Sequence, residues 1–203
     1  MCGRYTLVAS NKPDLANLNL DVPDRYKIAP QADVLVETDR AEFTVMPWSF
    51  SPPWAKTPMN LFNARVETLT EKPSFKGAQR CVFIADGWYE WQRTVSPSRP
   101  WYHHSDGKLL RFAGIYEPTS GCAIVTMGAQ TGIAHIHHRQ PLLLSADASD
   151  QWLNGAPAGD CMTDITVDFH RVRSAVNNAK VDDPTLAHPL DESISEPEQG
   201  ALF

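Results

Sequence analysis

The chain opens Met-Cys-Gly-Arg-Tyr, and its second residue has the least ordinary chemistry. An initiator methionine ahead of a small side chain is normally trimmed, which would leave Cys2 with a free α-amine two carbons from its thiol. Such a pair condenses with an aldehyde in two stages: the amine gives an imine, and the thiol then closes a five-membered thiazolidine. An α-amino pKa of about 7.7–8.0 leaves roughly a tenth of that amine neutral at pH 7, where a lysine is almost wholly protonated. By position alone, Cys2 reads more simply as an early residue that packs inward.

Three further clusters carry reactive side chains. In Asn63-Ala64-Arg65-Val66-Glu67-Thr68, Asn63 can serve a reaction centre by hydrogen bonding while Arg65 holds a phosphate; alone, the stretch reads as a helix capped by Asn63. In Gly87-Trp88-Tyr89-Glu90-Trp91, a carboxylate among three aromatics is open to partial desolvation, which raises its pKa and suits proton transfer. Strand alternation would put Trp88 and Glu90 on one face and Tyr89 and Trp91 on the other, and the simpler alternative keeps Glu90 on a wet face. In Ile136-His137-His138-Arg139-Gln140-Pro141, an imidazole titrating near neutrality stands beside an arginine, an arrangement fit for proton transfer next to a bound phosphate. His135, His137 and His138 invite a metal, but no second group of Cys, Asp or Glu stands at ligand spacing and His103-His104 is isolated. No metal or other cofactor is expected.

The elements that must position these residues are short, since 16 prolines are scattered along the chain. Strands are predicted at Val34–Glu37, Phe43–Met46, Arg80–Ala85, Trp101–His104, Leu109–Ile115 and Ala123–Met127, each rich in β-branched or aromatic residues. Asp106-Gly107, between two of these runs, is a hairpin turn signal. Helices are predicted at Asp14–Asn19, Ala64–Thr70, Ala146–Leu153 and Phe169–Val176, the third N-capped by Ser145. Strands and helices do not alternate regularly. The expectation is therefore an α+β fold, a single compact domain over 1–190 with a mainly antiparallel, open barrel-like sheet flanked by short helices, and an acidic, flexible tail over 191–203.

At 203 residues with 42% hydrophobic and 21% charged residues, the chain has the composition of an ordinary globular domain. Its apolar runs are too short to cross a bilayer and it opens without a signal peptide, so a cytoplasmic location, no membrane and a monomer are expected. Cys2, Cys81, Cys122 and Cys161 are widely spaced, which argues for free thiols. The net charge of −6 is unevenly spread. Residues 1–140 hold 15 Lys and Arg against 13 Asp and Glu, and residues 141–203 hold 3 against 11. The acidity belongs to the C-terminal third and does not exclude a nucleic-acid surface on the rest.

Met-Cys-Gly-Arg-Tyr at the extreme start, N-A-R-x-E-T, G-x-Y-E-W and I-H-x-R-x-P occur in that order, a pattern that closely resembles the SRAP family, the SOS-response-associated peptidases also called abasic-site processing proteins. The resemblance runs from Cys2 to about Pro189. It implies a nucleophile at Cys2, an active-site asparagine at Asn63, a catalytic glutamate at Glu90 and a histidine at His137. It also implies phosphate contacts at Arg4, Arg65 and Arg139, an aromatic wedge at Trp54 and a groove-lining Thr126. The implied partner is single-stranded DNA containing an abasic site, captured as a thiazolidine, with weak lyase activity and possible self-processing beside it. A peptidase with an N-terminal nucleophile and a non-covalent reader of modified bases are the rival readings. The chain departs from the family pattern at Lys27, Ser49 and Gln140, where Asn, Gly and Met are usual. These departures bear on local DNA contacts more than on the reaction.

Overall fold

The computed structural model describes residues 2–16, 18, 20–38 and 42–191; the expected tail lies outside them apart from Asp191. In chain order the strands and α-helices are β1 (Tyr5–Leu7), α1 (Pro13–Ala16), β2 (Arg25–Ile28), β3 (Asp33–Thr38), β4 (Phe43–Pro47), β5 (Asn63–Arg65), β6 (Gln79–Ala85), β7 (Gly87–Gln92), β8 (Arg99–His104), β9 (Leu110–Glu117), β10 (Gly121–Gly128), β11 (Arg139–Pro141), β12 (Leu143–Leu144), α2 (Ala146–Leu153) and β13 (Asp168–Arg171). The α+β expectation holds, with the strands divided between two mainly antiparallel sheets. One runs β13-β8-β7-β1-β2; the other runs β11-β10-β9-β6-β3-β4, with β12 on β9 and β5 parallel to β10.

All six predicted strands form. Two predicted helices do not. Ala64–Thr70 is instead the end of β5 followed by a 3₁₀ turn, Val66–Thr68, and Phe169–Val176 is divided between β13 and a 3₁₀ turn, Ser174–Asn177. In both, strand pairing overrides the helical pattern: buried Ala64 pairs in parallel with the β-branched Val125, and the aromatic Phe169 pairs with His103. The Asp14–Asn19 helix is reduced to one turn, with positions 17 and 19 outside the described residues. Helix α2 forms as expected, and Ser145 Oγ accepts from Ala148 N at 3.1 Å.

The Asp106-Gly107 signal gives a tight turn but not a hairpin. Both residues have positive φ, 44° and 72°, and Lys108 N donates to Ser105 O. The strands on either side, β8 and β9, enter different sheets. Turn chemistry sets a local reversal; which partner each strand takes is decided by burial.

The sheets share one core. Tyr5 of β1 meets Trp48, Phe83 and Phe112 edge-on with centroids 5.3, 6.4 and 6.1 Å apart, and Trp88 of β7 meets Phe112 at 5.8 Å. Such pairs contribute roughly 0.5–1.5 kcal/mol each beyond the area they bury. A smaller cluster of Tyr89, Tyr102, Val172, Val176 and Leu186 seals the outer face of the five-stranded sheet. The start of β7 is pressed tightly on β8: a Cβ on Gly87 would lie 2.3 Å from His103 O.

Candidate active site

Strand β1 lies antiparallel to β7 with Tyr5 opposite Trp88, and Tyr89 N donates to Arg4 O at 2.9 Å. Continued by two residues, that register puts Gly3 opposite Glu90, so the N-terminal segment reaches the carboxylate along the strand. The expected alternation of β7 is present. Trp88 faces the shared core, stacked on His103 at 4.8 Å, while Tyr89 joins the outer cluster and donates its hydroxyl to Tyr26 O. Glu90 shares the inner face with Trp88 and is 4% exposed. Burial pushes its carboxyl up to about 7, against the pull of cationic neighbours that include Arg93.

The histidine arrives on a wedge. The β9–β10 hairpin pairs from Glu117–Gly121 to Gly114–Ile124 and then splays. Into the gap runs the segment 139–144: β11 pairs with β10, β12 with β9, and Leu142 bonds to both, its N–H to Val125 O and its C=O to Ala113 N. This fixes the loop before it. Gln140 is buried, and its Oε1 accepts from Gln130 N at 2.7 Å, closing the loop that carries the histidines. His137 Nδ1 lies 3.8 Å from Glu90 Oε2 and about 3 Å from both the N and O of Arg139. Burial lowers the proton affinity of its ring.

On the other side of β10, β5 presents Asn63, whose Nδ2 donates to Cys2 O at 2.7 Å. Cys2 is fully buried, and its thiol is pushed well up, by burial first and by Glu90 second, so it is held as a neutral thiol. The four residues expected to do chemistry thus converge from β5, β7, the 137–139 turn and the N-terminal segment. Beside them opens a cleft of about 910 Å³ lined by Gly3, Glu90 and His137 and by the cations Arg4, Arg65 and Arg93.

The remaining expected contacts divide. Arg4 and Arg65 line the cleft, and Arg65 is exposed. Trp54 is 60% exposed, outside the cleft lining. Arg139 and Thr126 turn inward. The Arg139 guanidinium forks onto both carboxylate oxygens of Glu67, and its Nη2 also donates to Thr126 O and, at 3.2 Å, to Thr126 Oγ1. Thr126 is fully buried, and Arg139 nearly so. In the structure they brace β10 against β11 and the 3₁₀ turn at Val66–Thr68.

Three further residues, to which the sequence reading assigned no contact with DNA, line the cleft. Trp91 lies on the outer face of β7, where alternation puts it, but the cleft straddles the end of the strand and both faces reach it. Arg93 follows two residues later, a lone cation with no motif to single it out. Asn177 comes from a 3₁₀ turn 86 residues away, and its Oδ1 accepts from Trp91 Nε1 at 3.0 Å. Among the described residues, no three His, Cys, Asp or Glu side chains come together as metal ligands.

The sequence profile of the SOS response associated peptidases (SRAP) matches residues 1–179. The chain belongs to the SRAP family. This SRAP chain is 30% identical to the abasic site processing protein YedK of Escherichia coli K12, across 94% of its own length and all of YedK. It is 31% identical to the abasic site processing protein YoqW of Bacillus subtilis, across 92% of its length and 98% of YoqW. It is 30% identical to the chicken (Gallus gallus) abasic site processing protein HMCES, across 73% of its length and 58% of HMCES. A crystal structure of a protein from Bacteroides thetaiotaomicron superimposes with a TM-score of 0.80 over 93% of this SRAP chain and all of that one, at 20% identity, and so shares the fold.

Proposed function

We propose that this SRAP protein processes abasic sites in single-stranded DNA by covalent capture on Cys2, with Cys2 as the first residue of the mature chain. The observation that carries the reading is the convergence of Asn63, Glu90 and His137 on Cys2 at the wall of a cleft holding three arginines. In the first stage the Cys2 amine attacks the aldehyde carbon of the ring-opened sugar. Loss of water from the carbinolamine, assisted by a proton, gives the imine. The thiol sulfur then adds to the imine carbon and its proton passes to nitrogen, so thiazolidine formation releases one water in all.

The local chemistry suits each stage. A carboxyl titrating at about 7 can both give and take protons at neutral pH. His137 has its proton affinity lowered and stands 3.8 Å from that carboxylate, so Glu90 is the proton store of the pair and His137 the relay. Asn63 holds the Cys2 carbonyl and thereby orients the amine. A thiol kept neutral by burial is poorly suited to act first as a thiolate, as a cysteine peptidase requires, but it suits a nucleophile that closes second. The imine also permits β-elimination, so slow strand cleavage accompanies capture. The arginines serve the backbone and no base is read, as fits a substrate that lacks one. A cytoplasmic monomer completes the reading; among the described residues no helix is long and apolar enough to cross a membrane.

Intact mass spectrometry of the protein incubated with an abasic single-stranded oligonucleotide tests this directly. The expected product weighs protein lacking Met1 plus oligonucleotide minus one water, and it survives heat and denaturant. Binding without any covalent product would favour a non-covalent reader, and cleavage of peptides without DNA attachment would favour a peptidase.

A further inference from the structure

A buried cation lies behind the cleft. Lys27 of β2 is 8% exposed, and its Nζ donates to the carbonyls of Asn178 and Val181. It thereby ties a segment more than 150 residues away against β2. The tie is doubled by Asp182, whose Oδ1 accepts from Tyr26 N at 2.7 Å and whose Oδ2 lies 3.4 Å from Arg25 Nε. Nothing in these contacts touches the reacting atoms. The segment so fastened begins with Asn177, whose side chain reaches into the cleft and holds the Trp91 indole N–H. The Arg4 guanidinium carbon lies 4.8 Å from the centroid of the Trp91 ring. A contiguous chain of contacts thus joins a lysine buried outside the site to the arginine beside the N-terminal segment.

We infer that Lys27, Asn177 and Trp91 form a positioning relay that fixes the Arg4 guanidinium over the cleft, so that its hold on a backbone phosphate depends on them. The physical argument is entropic and geometric. An arginine side chain has four rotatable bonds, and ordering it on binding weakens the contact it makes. A ring face pinned by a hydrogen bond at its far edge gives the guanidinium one resting place before DNA arrives. The pin works only if Asn177 is itself held, and Lys27 holds the backbone immediately after it. Lys27 also adds a positive charge behind Arg4; each cation disfavours the other until a phosphate sits in front of them.

The inference rests on the DNA-binding reading above, and an undamaged probe separates the two. Binding of a twelve-residue oligothymidylate would be measured against salt for wild type, Trp91→Phe, Asn177→Ala, Lys27→Met and Lys27→Arg, each with Arg4 and again with Arg4→Ala. Trp91→Phe keeps a ring but loses the indole donor, so it tests the pin without emptying the wall. The expected result is weakening of about 3–10-fold by Trp91→Phe, Asn177→Ala and Lys27→Met when Arg4 is present, and under about 1.5-fold when it is absent. Each should also flatten the log–log salt slope by up to about 0.7, one single-strand phosphate's share. Lys27→Arg, which keeps the cation and its donors, should restore binding. Equal losses in both Arg4 backgrounds would overturn the relay, and Trp91→Phe and Asn177→Ala suffice to show this even if Lys27→Met fails to fold. If the relay variants prove non-additive with Arg4 while no abasic adduct ever forms, the relay stands and the covalent reading falls. No binding of single strands at all would sink both.

Discussion

At the residue scale, the sharpest predictions concern Glu90 and Cys2. Glu90→Gln should slow adduct formation by about 10²–10⁴-fold with little change in DNA affinity, as measured by single-turnover gel assays. The same substitution should have a stability signature. The Glu90 carboxyl is raised from the ordinary carboxylate range to about 7, so folding takes up a proton between those values and stability declines as pH rises through that window. Glu90→Gln should therefore raise the melting temperature relative to wild type at pH 8, by up to about 3 kcal/mol in stability, and change it little at pH 4. An equal effect at both pH values would mean that the carboxyl is not held above its ordinary range. For Cys2 the test is which group attacks. An extension ahead of Cys2 turns its amine into an amide and should abolish capture, whereas Cys2→Ser and Cys2→Ala should give a labile imine, trappable with borohydride and with more strand cleavage than wild type. Stable adducts from a blocked N-terminus would show that another residue attacks. That Cys2, Asn63, Glu90 and His137 lie together was legible because each sits in a short motif in fixed order; the places of Arg93 and Asn177 at the cleft were not, since a cation in a loop and an amide in a distant turn declare themselves only when the chain folds.

At the scale of elements, sequence patterning found strands well and partners poorly. All six β-branched or aromatic runs form strands, yet nothing local says that β8 and β9 part into different sheets around Asp106-Gly107. Nor does local pattern reveal that N-A-R is a strand: Asn63 looks like a helix cap, but three residues pair in parallel with β10, and burial of Ala64 outweighs helix propensity. Arg139 has structural partners that its motif does not reveal. Its motif suggested phosphate, but its guanidinium spans Glu67, Thr126 and the β10 backbone. Arg139→Ala should therefore cost about 1–3 kcal/mol of stability, discounted because Glu67 is half exposed and can be rehydrated, and should leave the salt slope of DNA binding close to wild type. Urea titrations and binding isotherms on the same preparation would check both halves; a flattened slope with unchanged stability would return Arg139 to the phosphate contacts.

At the scale of the molecule, net charge is a poor guide to partner. The overall −6 comes from the C-terminal third, while the cleft carries Arg4, Arg65 and Arg93. Affinity for single-stranded DNA should fall as salt rises, with a log–log slope near −2 if about three phosphates are neutralised. Arg65→Ala and Arg93→Ala should each flatten it by up to about 0.7; insensitivity to salt, or preference for duplex, would refute a cleft built for one strand. The wedge at 139–144 has a further bearing on how such a molecule loses its competence. Because Leu142 is bonded on one side to Val125 and on the other to Ala113, the turn carrying His137 cannot lift away by fraying; both sheet strands must open with it. The amide hydrogens of Leu142 and Ala113 should then exchange with deuterated solvent only through global unfolding, among the slowest in the chain. Warming would not yield a folded but inactive population with a detached histidine, and the thermal inactivation curve would coincide with the melting curve.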